Sequence, residues 1–172
     1  GIASAKVLTL DMSEAAAIVN KENARVAKLI GINKAARTTC VKPAGTTSLV
    51  LGTSSGIHAW HSDFYIRRLR VGKNEAVYTY LAINHPEILE DDYFRAQDTA
   101  IISIPQAAEP GSILRTENVI DMLTRVKKVA TEWVKPGHRS GSNTHNVSAT
   151  VSIKKDEWEK VGEWMWKNKE YY

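Results

Sequence analysis

One short stretch of the sequence combines residue types that together can hold an anion. A β-prone run, Arg37 to Val41, enters the corner Lys42-Pro43-Ala44-Gly45, and three hydroxyl residues follow. Where such a corner opens a helix, unpaired backbone N–H groups and the helix dipole favour a negatively charged ligand. Gly45 lets the backbone approach that ligand closely, and Lys42 adds positive charge. The pattern predicts a phosphate-binding loop whose contact residues are Pro43, Ala44, Gly45, Thr46, Thr47 and Ser48.

The same stretch has a second interpretation that needs no ligand. A strand, a turn and a helix capped by a hydroxyl side chain produce the same order of residue types. The loop contains neither the Walker A signature nor the G-x-G-x-x-G fingerprint of dinucleotide-binding folds. Its spacing alone therefore leaves the phosphate loop and the ordinary corner both open.

The sequence around this loop resembles the adenosylcobalamin-dependent (class II) ribonucleotide reductases. Similar runs occur in that family at Thr38 to Thr46, at Ser55 to Ala59 and at Phe64 to Arg70. A second match, in the expected order, begins at Asn146 and continues through Val151 into the last helix. Alanine stands at positions 44 and 59, where the family usually has serine and proline.

The resemblance implies a role for this chain within a larger enzyme. The loop would bind the phosphates of a ribonucleotide substrate, and Ser55, Gly56 and Ile57 would form the adjoining barrel wall. The parent would make deoxyribonucleotides by radical chemistry, with adenosylcobalamin as cofactor and an external or C-terminal dithiol as reductant. A non-enzymatic phosphate- or nucleotide-binding α/β module and a purely structural fragment are the alternatives.

Cys40 is the single cysteine of the chain. A radical reductase needs a thiyl cysteine and a further pair of thiols, and one residue cannot fill all three roles. Cys40 also lacks the Asn-x-Cys-x-Glu surroundings of the family's radical site. We expect it to be a small buried core thiol on the strand before the loop. No catalytic residue is therefore expected in this chain, and the radical cysteine is expected before residue 1.

Two further residue pairs suggest chemistry but lack the partners it requires. His58 and His61 could face one side of a helix, yet no other histidine or carboxylate completes a convincing ligand set, so no metal site is predicted. Tyr171 and Tyr172 follow a helical pattern, whereas the tyrosine relay of class I reductases lies on a strand. We interpret both tyrosines as ordinary aromatic residues, which favours the cobalamin class.

Composition is that of a soluble globular protein. The 172 residues are 43% hydrophobic and 24% charged, with a net charge of +4 that suits nucleotides but does not by itself predict nucleic-acid binding. No apolar run has the length of a membrane span and no signal peptide is evident, so we expect a cytoplasmic protein without a membrane partner. The chain starts without Met, and we interpret residues 1–172 as a single fragment of a larger catalytic barrel domain.

Hydrophobic periodicity predicts alternating helices and strands. Helices are expected at 11–30, 74–84 and 116–134 and from 156 onward, and strands at 37–41, 62–71, 98–105 and 146–153. Asp11 or Ser13 would cap the first helix, Thr116 the third, and Asp156 with Glu159 the last. The apolar stripe expected on the first helix is Ala15, Ile18, Val19, Val26, Leu29 and Ile30.

This alternation predicts an α/β fold with βαβ units and a mainly parallel sheet. The resemblance implies a ten-stranded α/β barrel of the ribonucleotide reductase type, of which this chain would supply part of the second half. A partial barrel leaves sheet edges open and apolar faces uncovered. We therefore expect the isolated chain to self-associate or to be structurally incomplete.

Overall fold

The structure is a computed structural model that describes residues 1–171, with the backbone alone at Thr46. The Thr46 side chain and Tyr172 lie outside the described residues. The helices are α1 (Met12–Ile30), α2 (Gly45–Val50), α3 (Ala76–Asn84), α4 (Val119–Val129) and α5 (Trp158–Lys167). The strands are β1 (Phe64–Gly72), β2 (Leu89–Asp91) and β3 (Thr99–Ala107). Short 3₁₀ turns lie at Ile2–Ser4, Lys6–Thr9, Pro86–Ile88 and Lys169–Tyr171.

The chain forms two compact units. The first comprises Gly1–Trp60 and Glu109–Tyr172, and the second comprises His61–Ala108. In the described residues, no helix is long and apolar enough to cross a membrane.

Helix α1 has the ends that the sequence predicts. The Asp11 carboxylate accepts a hydrogen bond from the Glu14 amide at 2.9 Å, and Gly31 ends the helix with a left-handed φ of 73°. The predicted apolar stripe is wrong, because Ile18 is 61% and Leu29 is 75% exposed. The helix instead buries a face that carries Met12, Ala16 and Ala27. Small alanines let its backbone approach the turn that follows α4.

Helix α4 carries the core of the first unit. It starts at Val119 rather than at the predicted Thr116, because Asn118 accepts the Asp121 amide at 3.0 Å. Its buried face includes Val119, Leu123 and Val126, and the buried Ala130 follows its last turn. The helix widens into a π turn at Ala130–Val134. The core cluster contains Met12, Ile57, Met122, Val126, Val129, Ala130, Val134 and Val147.

Helix α5 lacks the predicted capping box. It starts at Trp158, and no side chain caps it. The Glu157 carboxylate accepts a hydrogen bond from the Lys154 amide at 2.8 Å. The side chain that closes the turn before α5 is therefore Glu157 and not Asp156. The buried Val161 packs with Val119 and Leu123 of α4.

The predicted strands at 37–41 and 146–153 are wrong as continuous strands. The two segments share one parallel bridge, Val41 to Val147. Polar groups of 37–41 bond to the chain after α4 instead: the Thr38 amide donates to the Gly137 carbonyl at 2.9 Å, and the Thr39 hydroxyl donates to the Trp133 carbonyl at 2.5 Å. The first bond occupies a backbone amide that a longer strand ladder would use, and the second ties the Thr39 side chain to the turn after α4.

The second unit is a three-stranded antiparallel sheet in the order β1-β3-β2, with α3 beside one face. The strands predicted at 62–71 and 98–105 and the helix predicted at 74–84 are confirmed with small shifts in their bounds. Of the apolar residues of β1, Phe64 is 78% exposed, whereas Leu69 and Val71 turn inward. Val71 and Ile102 pack with Tyr78 and Leu81 of α3.

The α/β class is confirmed, but the mainly parallel sheet is wrong. The alternation of elements predicted a crossover, whereas the chain turns back after α3 at His85 and forms the short β2 beside β3. Residues 1–171 do not form a ten-stranded barrel.

Candidate phosphate-binding site

The proposed loop ends at the start of a helix whose first amides have no side-chain cap. Helix α2 begins at Gly45, and its N-cap, Ala44, makes no side-chain hydrogen bond. The Ala44 amide itself donates to the Lys42 carbonyl at 2.8 Å and tightens the corner. The N–H groups of a first helical turn have no intrahelical acceptor. They are therefore free to bind an anion from outside.

Gly45 has no packing reason to be glycine. A Cβ at this position would meet no atom within 4 Å, and the residue does not adopt the left-handed backbone region. Alanine would therefore fit the protein itself. A bare backbone at this corner would also let a ligand approach closely.

Three polar side chains of the loop have different surroundings. Lys42 and Thr47 are exposed, and the Lys42 ammonium donates to the Thr47 hydroxyl at 3.2 Å. The hydroxyl accepts in this contact and keeps its own proton for an anion. Ser48 is only 3% exposed, and its hydroxyl donates to the Gly45 carbonyl at 2.6 Å. Ser48 therefore braces the helix start from inside.

The predicted wall residues lie directly against the loop. The Ser55 hydroxyl donates to the Ala44 carbonyl at 3.1 Å. Gly56 has a φ of 56°, and a Cβ there would lie 2.9 Å from the Lys42 carbonyl oxygen. This position requires glycine both for its backbone conformation and for the close approach. Ile57 is fully buried and anchors the segment in the core.

Two residues that hold this wall in place were missed at the level of sequence. The Arg125 guanidinium donates through Nε to the Ile57 carbonyl at 3.3 Å and binds the Glu117 carboxylate. The His58 ring, considered above only as a metal ligand, contacts the Ser55 carbonyl and the Thr150 amide, each at 2.9 Å. The sequence carries no signal for the contacts to Ile57 and Thr150, because these partners lie 68 and 92 residues away along the chain.

The prediction that Cys40 is buried is wrong. Its thiol is exposed and lines an apolar cleft of about 440 Å³ beside the loop, with Val41, Trp133 and Met12 among the other lining residues. Thr39 points inward and is buried, so the next residue along the extended chain faces outward. The Trp133 indole donates to the Cys40 carbonyl at 3.0 Å.

The arginines of β1 are engaged within the second unit. Arg68 pairs with Glu90, and Arg70 donates to the Asp92 carboxylate at 2.8 Å. The Arg70 guanidinium holds the pKa of Asp92 below its ordinary value, and the Phe94 and Arg95 amides act in the same direction. These pairings support a paired, solvated surface rather than a free cationic wall.

Comparisons with known proteins identify relatives of this chain. The adenosylcobalamin-dependent ribonucleoside-triphosphate reductase of Euglena gracilis is 31% identical over 113 residues, which are 66% of this chain and 15% of that protein. A probable enzyme of the same description from Dictyostelium discoideum is 28% identical over 110 residues, 61% of this chain and 13% of that protein. No family model matches the chain.

A solved structure gives the same relationship for the fold. The crystal structure of a B12-dependent (class II) ribonucleotide reductase superposes with a TM-score of 0.73 at 20% identity, over 90% of this chain and 21% of that one. The resemblance seen in the sequence is confirmed: the chain is similar to a segment of adenosylcobalamin-dependent ribonucleotide reductases. It spans only 15% and 13% of the lengths of the two curated relatives.

Proposed function

We propose that this homologue of the adenosylcobalamin-dependent reductases supplies the substrate-phosphate site of a ribonucleoside-triphosphate reductase. The observation that carries the proposal is the uncapped start of α2 at Gly45, inside a chain related to enzymes of that description. The parent would reduce ribonucleotides to deoxyribonucleotides for DNA synthesis in the cytoplasm. The chain itself would bind and orient the substrate.

The loop offers three kinds of donor to a polyphosphate. The first-turn amides of α2 point toward the anion with the positive end of the helix dipole. The Thr47 hydroxyl adds a donor, and Lys42 adds a point charge beside it. Each hydrogen bond to a charged group contributes about 1.5–3 kcal/mol. Together these hydrogen bonds would orient the phosphates and thereby the ribose.

The described residues do not fit adenosylcobalamin by themselves. Pockets of roughly 300–1,000 Å³ enclose drug-sized ligands, and the corrin ring with its nucleotide is considerably larger than such ligands. The apolar cleft beside Cys40 holds about 440 Å³, and a second cleft beside Arg70 holds about 670 Å³. When bound elsewhere in the parent, the cofactor supplies the radical. A dithiol reductant must also come from outside this chain, which contains one cysteine.

The test compares two glycine substitutions in the full-length parent. Gly45→Ala places a methyl group where the phosphates approach. We expect the methyl group to keep the phosphates from one first-turn amide. Because that hydrogen bond to a charged group is then lost, KM for the ribonucleoside triphosphate should rise about 10- to 100-fold. The matched control is Gly162→Ala, an exposed glycine of α5 whose Cβ also meets no atom within 4 Å. Equal KM values for both variants and the wild type would refute the phosphate site.

A further inference from the structure

A buried ion pair lies behind the proposed phosphate loop. Arg125 of α4 is 6% exposed, and its two terminal nitrogens each donate to the Glu117 carboxylate at 2.6 Å. This fork-to-fork contact holds the guanidinium plane in one orientation. A buried charge needs such a partner, because an unpaired one would be strongly destabilising.

The remaining guanidinium nitrogen reaches the wall of the loop. Nε of Arg125 donates to the Ile57 carbonyl at 3.3 Å, across 68 residues of sequence. Because Glu117 fixes the guanidinium, Arg125 holds that carbonyl at a set distance from α4. Lysine at this position would keep the charge but would lack both the fork and the Nε donor.

His58 holds the same wall from its other side. Its Nε2 lies 2.9 Å from the Thr150 amide, which can only donate, so Nε2 accepts and carries no proton. The proton therefore sits on Nδ1, which donates to the Ser55 carbonyl at 2.9 Å. The ring closes the Ser55–His58 turn on itself and ties it to the segment around Thr150.

The wall held in this way bears directly on the loop. Ser55 donates to the Ala44 carbonyl, and Gly56 packs beneath the Lys42 carbonyl. Ala44 is the N-cap of α2, so its position sets the direction of the first-turn amides. The chain of contacts runs from Glu117 through Arg125 and the wall to the helix start.

We propose that Arg125 and His58 are positioning residues for the phosphate loop. Neither forms a hydrogen bond with the described part of the loop; they hold residues 55–57 so that the α2 amides converge on the phosphates. The inference rests on the phosphate-binding function proposed above. Preorganised donors lose much of their effect when displaced by about 1 Å, so a loosened wall weakens binding of the polyphosphate group.

The experiment uses Arg125→Lys, His58→Ala and His58→Gln in the full-length parent. The readouts are KM and kcat for a ribonucleoside triphosphate, the inhibition constant of inorganic triphosphate, and the melting temperature. We expect Arg125→Lys and His58→Ala to raise KM and the inhibition constant together by about tenfold, with a smaller change in kcat. His58→Gln keeps an acceptor for the Thr150 amide, and we expect it to restore part of the lost affinity.

The matched control is Arg25→Lys. Arg25 also makes a two-pronged contact with Glu22, through Nε at 2.9 Å and a terminal nitrogen at 2.6 Å, but on the exposed surface of α1. We expect no change in KM or in the inhibition constant. If Arg125→Lys and His58→Ala lower only the melting temperature and leave both constants unchanged, their role is structural and the proposal is overturned.

Gly45→Ala in the same series separates the two hypotheses. If it raises the inhibition constant of inorganic triphosphate while Arg125→Lys and His58→Ala do not, the phosphate site stands and the positioning role fails. If Gly45→Ala also leaves that constant unchanged, the phosphate site fails, and the positioning role fails with it.

Discussion

Thr47 and Ser48 are adjacent hydroxyl residues with opposite surroundings. Thr47 is exposed and accepts from Lys42, so its proton is available to a phosphate. Ser48 is buried, and its hydroxyl donates a hydrogen bond to the Gly45 carbonyl. By residue type alone, both hydroxyls were predicted to bind phosphate. Their different burial indicates that Thr47 is available to a ligand and that Ser48 stabilises the start of α2.

Thr47→Ala is expected to weaken binding without weakening the fold. Loss of one hydrogen bond to a charged phosphate costs about 1.5–3 kcal/mol, or 10- to 100-fold in affinity for the triphosphate. Ser48→Ala is expected to reduce the free energy of unfolding by about 0.5–1.5 kcal/mol. Titration with inorganic triphosphate and urea denaturation of the parent would measure both. Thr47→Ser, which keeps the hydroxyl, should bind like the wild type.

The lowered pKa of Asp92 predicts that the second unit becomes less stable in acid. Its pKa is lowered from the ordinary value of 3.8, chiefly by the hydrogen bond from Arg70, so the ionised form is favoured in the folded state. The resulting stabilisation is fully present above that ordinary value and is lost as the pH falls through the folded pKa. NMR signals of β3 amides, followed in denaturant at several pH values, would measure it. Asp92→Asn should flatten this dependence, and an unchanged slope would contradict the assignment.

At the scale of elements, hydrogen bonds at helix ends decide where helices begin. Asp11 and Asp156 precede helical segments in similar contexts, and both were predicted to be caps. Asp11 accepts the Glu14 amide, whereas no side chain caps α5.

The two aspartates form a natural pair of variants. Asp11→Ala removes a satisfied cap and should destabilise α1 by about 1 kcal/mol. Asp156→Ala removes no helix cap and should change the free energy of unfolding by less than about 0.5 kcal/mol. Thermal unfolding followed by circular dichroism would compare them. Equal losses would mean that the helix starts are assigned incorrectly.

At the scale of the whole molecule, each unit leaves apolar side chains uncovered. In the first unit these include Ile18, Leu29 and Ile30 of α1, and in the second Phe64 and Ile66 of β1. Large exposed apolar patches commonly mark an interaction surface. This chain matches 21% of a solved reductase. If the rest of a parent protein covers these apolar side chains, they are exposed only in the isolated chain.

The isolated 172-residue chain is therefore expected to self-associate. Sedimentation velocity over a range of concentrations should show species larger than the monomer, because burial of each exposed leucine or isoleucine contributes about 1.5–3 kcal/mol. Leu29→Lys should shift the distribution toward monomer, and Lys21→Gln on the same helix should not. A wild-type chain that stays monomeric throughout would disprove the expectation.

The sequence by itself determined what depends on neighbouring residues. The start and end of α1 follow from Asp11 and Gly31, and the positions of β1 and β3 follow from short apolar runs. A hydrogen bond across three residues or a left-handed glycine acts locally, so its effect can be read from the chain. The loop at Gly45 and its resemblance to the reductases were likewise local signals.

Only the tertiary structure decided which faces are buried and which segments meet. The exposed side of α1, the exposed Cys40 and the antiparallel sheet all depend on partners far along the chain. Arg125 reaches Ile57 across 68 residues, and the Thr150 amide meets His58 across 92. Because periodicity specifies a face but not its partner, these contacts exist only once the packing of the chain is established.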